Sequence, residues 1–137
     1  MQQRVRISEA IFHELSEQVR KAYPRECCGV LLGTEDYRIL EGRPLNNRVR
    51  EDAALLHFQM DPLEIYRLER EAEEKGLCCL GFYHSHPDHA AVPSREDQQY
   101  MIPEQFYLII SVTGKGLGET KGYIKKEEII GVEVVVL

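Results

Sequence analysis

The residues best placed to do chemistry lie in Tyr83-His84-Ser85-His86-Pro87, followed by Ser94-Arg95-Glu96-Asp97. Alternate residues of a strand share a face. His84 and His86 therefore project to one side, expected to be that of Cys78, Leu80 and Phe82, at the mouth of a buried strand. Two imidazoles so placed are a natural pincer for a transition metal. Asp97 falls in the first turn of the next predicted helix, where the positive helix end favours its ionised form. Two neutral imidazole nitrogens and one carboxylate give three protein ligands. A tetrahedral zinc ion would then keep its fourth position for water, which is the arrangement of a catalytic site rather than a structural one.

Each piece alone has a plainer explanation. An H-x-H pair recurs by chance, and Ser94 with Asp97 fits a [ST]-x-x-[DE] capping box, a common helix start. A metal site accounts for all of them together, directly after an apolar strand. His89 is a rival ligand in the same loop, but no periodicity ties it to the pair, and it ranks below Asp97. His13 and His57 look incidental. A hydrolytic site also needs a base for its water. Glu26 lies between the Pro24 helix stop and the apolar run at Val30. Partial desolvation there would raise its pKa. From the residues alone, a catalytic base and an ordinary loop carboxylate are equally open readings of Glu26.

The elements that must position these groups can be read along the chain. Ser8 caps a helix carrying Ile11, Leu15, Val19 and Ala22, and Pro24 stops it. Gly29–Gly33 reads as a short buried strand, and Tyr37–Leu45 and Leu55–Met60 as two more. Asp61-Pro62 opens a helix that should run to about Lys75, with Gly76 beyond it. Its Glu and Arg spacing, as in Glu64, Arg67 and Glu71, reads as a solvated face. The apolar run Leu77–Tyr83 suits a central strand, His84–Pro93 a loop, and Ser94 to about Met101 a short helix. Tyr107–Val112 is a strand. Gly114, Gly116 and Gly118 suggest a flexible turn, and Gly122–Ile124 and Ile130–Val136 two closing strands. Strands and helices mix without strict alternation, so the expected class is α/β or α+β, a mixed central β-sheet flanked by helices.

Composition bounds the rest. The 137 residues suffice for one domain, expected to span 1–137, with a core of its own. Apolar residues at 43% and charged residues at 29% are an ordinary globular balance. The net charge of −6, from 17 Lys and Arg against 23 Asp and Glu, argues against a general nucleic-acid binder. No stretch approaches the ~20 apolar residues of a membrane span, and the N-terminus lacks an apolar leader core. Cys27-Cys28 and Cys78-Cys79 match no redox or zinc-ribbon spacing and read as small buried hydrophobes in a reducing compartment. A cytoplasmic protein is expected.

Two segments resemble a known family. Pro24-Arg25-Glu26-Cys27-Cys28-Gly29-Val30-Leu31-Leu32-Gly33 is similar to the P-x-E-x-C-G-x-L-x-G opening of prokaryotic stand-alone JAMM (MPN-plus) metallopeptidases. His84-Ser85-His86-Pro87 with Ser94 and Asp97 resembles that family's H-x-H-P-x6-S-x-x-D motif, every spacing intact. The resemblance runs from the first helix to about Val112 and implies an MPN/JAMM-like, cytidine-deaminase-like architecture. It also implies roles. His84, His86 and Asp97 would hold one Zn2+ with a water, Glu26 would move that water's proton to the leaving amine, and Ser94 would hydrogen-bond the oxyanion. Relatives cleave amide or isopeptide bonds after the C-terminal glycine of ubiquitin or ubiquitin-like proteins. This short chain lacks the ubiquitin-gripping insertions of eukaryotic members and resembles bacterial members linked to sulfur carriers ending in Gly-Gly. A ubiquitin-like sulfur carrier is thus the expected partner. A homodimer is left open, and neither nucleic acid nor membrane is expected. The competing readings are a non-catalytic MPN-type binding module and a zinc amidase acting on small molecules. The H-x-E and P-C-x-x-C signature of a deaminase is absent.

Overall fold

A computed structural model describes residues 4–46 and 61–137. The strand expected at Leu55–Met60, and His57, lie outside the described residues. Within them the chain order is β1 (Arg4–Ile7), α1 (Glu9–Ala22), β2 (Cys28–Gly33), β3 (Arg38–Leu45), α2 (Pro62–Glu74), β4 (Cys78–Pro87), α3 (Arg95–Tyr100), β5 (Phe106–Thr113), β6 (Gly116–Lys125) and β7 (Ile129–Val136). No helix among the described residues is long and apolar enough to cross a membrane.

The helices begin where their capping residues stand. Ser8 Oγ accepts the Ile11 N–H at the start of α1, and Asp61 accepts the Leu63 N–H at the start of α2, with Pro62 in the first turn. Each cap satisfies an amide that the helix itself leaves without a partner.

The sheet is mixed, as expected, and it also curls shut. Its strands run β1-β3-β2-β4-β5-β6-β7, and β1 pairs in parallel with both β3 and β7, closing the ring. β4 is parallel to β5 and antiparallel to β2. Two apolar clusters lie on opposite faces of these strands. One gathers Leu15 and Val19 of α1 with Leu31, Tyr83, Phe106, Leu108 and Ile110. The other gathers Leu68 and Ala72 of α2 with Val30, Leu32, Phe82 and Tyr107. Fully burying a side chain such as Leu15 is worth about 1.5–3 kcal/mol, so each helix is held to the sheet mainly by its apolar stripe.

Several sequence expectations are corrected. β4 continues through Pro87, so His84 and His86 stand on the strand itself rather than in a loop. The parallel partner β5 carries it, with pairing that extends to Pro87↔Val112. Cys78 and Leu80 do not share the histidines' side: they pack in the first cluster with Tyr83, whereas Cys79 and Phe82 pack in the second. The register against β2 jumps from Leu31↔Gly81 to Leu32↔Cys79. That bulge at Leu80 reverses the alternation. A side chain on Gly81 could not fit, since a Cβ there would stand 1.8 Å from the Phe106 carbonyl oxygen. Gly116 and Gly118 belong to β6, which is far longer than Gly122–Ile124, and the polar N-terminal segment forms β1.

Candidate metal centre

The site is built from β4 outward. His84 and His86 leave the strand on the same side, both almost wholly buried, at 4% and 5% exposure. Asp97 reaches them from the first turn of α3. Its backbone N–H donates to Ser94 Oγ at 3.0 Å, and its Oδ2 accepts the Ser94 N–H at 2.9 Å, a complete capping box. The box turns Oδ2 toward the imidazoles. His84 Nε2 and His86 Nε2 are 3.1 Å apart, and Oδ2 stands 3.3 Å from the first and 2.9 Å from the second.

These spacings fit a metal. Three donors bonded at about 2.0–2.1 Å in tetrahedral directions lie roughly 3.3–3.4 Å from one another. His86 Nδ1 is 2.8 Å from the Ala90 carbonyl oxygen, which can only accept. The proton of a neutral His86 is thereby placed on Nδ1, and the Nε2 lone pair faces the common point. Two nitrogens and one carboxylate oxygen make a borderline-soft donor set suited to zinc. No other group of three potential ligands of this kind occurs among the described residues.

The charges follow the same geometry. Burial pushes the His84 pKa down, against the pull of Asp97. For His86 burial also works downward, but the Asp97 carboxylate, the Ala90 carbonyl and Glu26 outweigh it and the net shift is upward. Burial works upward on Asp97, but hydrogen bonding with both histidines and the Ser94 amide holds it well below the usual carboxylate range.

Glu26 lies two residues before β2. In the antiparallel ladder Cys28 faces His84. Continuing that register by two residues brings Glu26 alongside His86. Burial raises its pKa to about 7, with His86 pulling it down and Asp97 and Glu96 pushing it up. The desolvated carboxylate anticipated from the sequence is therefore present, and it stands beside the donor cluster.

Of the remaining sequence candidates, Ser94 is exposed at the α3 start, its hydroxyl oxygen accepting from Asp97. The His89 and His13 side chains are exposed, and neither belongs to the donor group. All four cysteines are free thiols.

Two supports escaped the sequence reading. Ser85, fully buried between the histidines, accepts the Cys27 N–H on Oγ at 2.9 Å and donates its own N–H to the Cys27 carbonyl at 3.0 Å. That pair of hydrogen bonds locks the residue after Glu26 onto β4. Tyr23 donates its hydroxyl to the Asp88 carboxylate, 3.0 and 3.1 Å from its two oxygens. It ties the end of α1 to the turn two residues beyond His86. The serine inside H-x-H was the only available signal for the first; nothing in the sequence pairs Tyr23 with Asp88. Gly29, the first of the two glycines in the first motif, makes room for the same strand contact: a Cβ there would lie 2.3 Å from the Tyr83 ring.

Residues 8–122 match the family described as prokaryotic homologs of the JAB domain. A desampylase of Pyrococcus furiosus is 34% identical over 113 residues, 81% of this chain and 76% of its own length. A desampylase of Haloferax volcanii is 36% identical over 94 residues, 67% of this chain and 66% of its own length, just under two thirds. A CysO-cysteine peptidase of Mycobacterium bovis is 29% identical over 106 residues, 76% of this chain and 70% of its own length. Among solved structures, a protein of Desulfitobacterium hafniense superposes with a TM-score of 0.84 at 32% identity, covering 97% of this chain and 92% of its own. With a family match over residues 8–122 and relatives of this identity and extent, the chain belongs to the prokaryotic JAB-domain (JAMM/MPN) family.

Proposed function

We propose that this protein is a zinc-dependent peptidase that hydrolyses the amide or isopeptide bond after the C-terminal glycine of a ubiquitin-like sulfur carrier, or releases an amino-acid or peptide adduct from it. The chain is a hydrolase of peptide or isopeptide bonds. The observation that carries the zinc reading is the convergence of His84 Nε2, His86 Nε2 and Asp97 Oδ2 within 3.3 Å of one another, with Glu26 alongside. Relatives named for desampylation and for CysO-cysteine cleavage act on ubiquitin-like protein adducts, which supports the carrier as substrate class. Four free thiols suit a reducing compartment, and the cytoplasm is the proposed location.

In this account His84, His86 and Asp97 would hold a zinc ion. Bound zinc supplies Lewis-acid polarisation of the scissile carbonyl and acidifies the attacking water. Glu26, its pKa near 7, accepts the water's proton and returns it to the departing amine; a base of that strength is matched to neutral pH. Ser94 Oγ accepts from the Asp97 amide, so its own O–H proton is not consumed by that bond and serves the oxyanion. An extended Gly-Gly tail can pass close to backbone where larger residues cannot.

The test is mass spectrometry of a Gly-Gly-ending carrier fused through its terminal glycine to a peptide. The zinc-loaded protein should release the free carrier. An intact fusion, with hydrolysis seen only on small amides, would assign the site to an amidase instead.

A further inference from the structure

The His86 ring is held by the loop that follows β4. Three successive backbone carbonyls beyond β4 each meet one side-chain donor. The His89 carbonyl accepts the Ser111 hydroxyl at 2.6 Å, the Ala90 carbonyl stands 2.8 Å from His86 Nδ1, and the Ala91 carbonyl accepts the Tyr123 hydroxyl at 2.6 Å. The two outer bonds come from neighbouring strands, Ser111 from β5 and Tyr123 from β6, far along the chain from the loop they grip.

Ser111 sits where the β5–β6 register is broken, between Ile110↔Thr120 and Val112↔Leu117. Bulges of this kind re-aim a side chain. Ser111 is 9% exposed, so losing its partner would strand a buried hydroxyl. Gly118 leaves the space around it: a Cβ on that glycine would lie 3.1 Å from Ser111 Oγ.

We propose that Ser111 and Tyr123 are positioning residues for His86: by pinning the carbonyls on either side of Ala90, they fix the acceptor that sets the imidazole's tautomer and direction. The proposal rests on the reading of His84, His86 and Asp97 as metal ligands. Neither hydroxyl belongs to the His84, His86 and Asp97 donor group, and each donates to a backbone carbonyl. Their contribution is to keep the Ala90 oxygen where only an Nδ1-protonated ring, with its Nε2 lone pair turned to Asp97 and His84, can be accommodated. Removing the direct partner of a ligating histidine typically changes metal affinity 10–100-fold, and Ser111 and Tyr123 hold the residues that flank that partner.

The experiment measures zinc affinity, by competition with a chromophoric chelator, for the wild-type chain and for Ser111→Ala, Tyr123→Phe and Ser111→Thr. Ser16→Ala is the control. Ser16 is likewise buried and donates its hydroxyl to a backbone carbonyl, that of Phe12 at 2.8 Å, but on α1. Thermal melts confirm folding, and the cobalt-substituted absorption spectrum reports ligand geometry. We expect Ser111→Ala and Tyr123→Phe each to weaken zinc binding by about tenfold or more and to alter the cobalt spectrum. Ser111→Thr, which keeps the hydroxyl, should recover most of the loss, and Ser16→Ala should lower the melting temperature without changing affinity. Folded Ser111→Ala and Tyr123→Phe proteins with wild-type zinc affinity would overturn this proposal alone. A wild-type chain with no zinc affinity would overturn the metal site, and this proposal with it.

Discussion

The site has two halves built in different ways. His84 and His86 stand on a ten-residue strand, hydrogen-bonded on one side to β2 and on the other to β5, and both are buried. Asp97 lies on a six-residue helix with no buried residue of its own, capped by Ser94 and held at its far end by Lys125, whose ammonium donates to the Gln98 and Met101 carbonyls. Isolated helices this short are marginal in water. The difference teaches where precision comes from. The imidazoles inherit their separation from the sheet, whereas the carboxylate is aimed by two local hydrogen bonds. Loss of a ligand from either half should remove the site outright, whereas loss of the cap that aims Asp97 should only loosen it.

The predictions probe that contrast in falling order of effect. His84→Ala and Asp97→Ala should both abolish measurable zinc binding, well beyond the roughly 10–100-fold cost of losing a supporting partner. His89→Ala should leave zinc affinity within about twofold, because its ring is exposed and outside the donor group. Chelator competition reads all three, and an exchange of the Asp97 and His89 results would reverse their roles. Glu26→Gln should bind zinc normally and lose roughly 10²–10⁴-fold in turnover of the carrier fusion, the usual scale of a missing general base. Loss of zinc in that variant would instead make Glu26 a ligand.

Ser94→Ala removes the cap that aims Asp97. It should cost about 1 kcal/mol of stability, seen in denaturant melts, along with a lower turnover number. Ser94→Asp keeps a capping group without the hydroxyl donor. Stability should return in that variant while turnover stays low, separating the two roles of this residue.

The smallest effect concerns pH. Glu26 has a folded-state pKa of about 7, raised by burial above its unfolded value. The folded chain then holds a proton that the unfolded chain has released between about pH 4.5 and 7. The associated stability is present in full below the lower value and lost as pH rises through the upper one. In metal-free protein, Glu26→Gln should therefore melt higher than wild type at pH 8, by about 2–4 °C, and the difference should vanish near pH 4. A constant offset across that range would show that Glu26 is solvated in the fold.

The legible parts of the molecule are those encoded locally. Ser8, Asp61-Pro62 and Ser94 announce their helices because capping is a matter of three or four adjacent residues. The donor set could be named because an i,i+2 pair on a strand and a residue in the first turn of a helix have fixed directions. What was missed depends on partners distant in sequence. β1 places only Val5 and Ile7 inward, too short a pattern to read, and owes its pairing to β3 and β7. The reversal at Leu80 is dictated by the register of β2, and the closure of the ring by strands at its two ends. Glu26 could not be separated from an ordinary loop residue by its local sequence alone; only the likeness of residues 24–33 to the family motif singled it out, because its burial depends on β4, far along the chain.

The central claim is that one ion is shared by His84 Nε2, His86 Nε2 and Asp97 Oδ2. Anomalous diffraction from zinc-loaded crystals, recorded above and below the zinc edge, tests it directly. The account predicts a single peak at bonding distance, about 2.0–2.2 Å, from all three atoms. A peak on His89 or on the cysteines, or none near the pair of imidazoles, would contradict it.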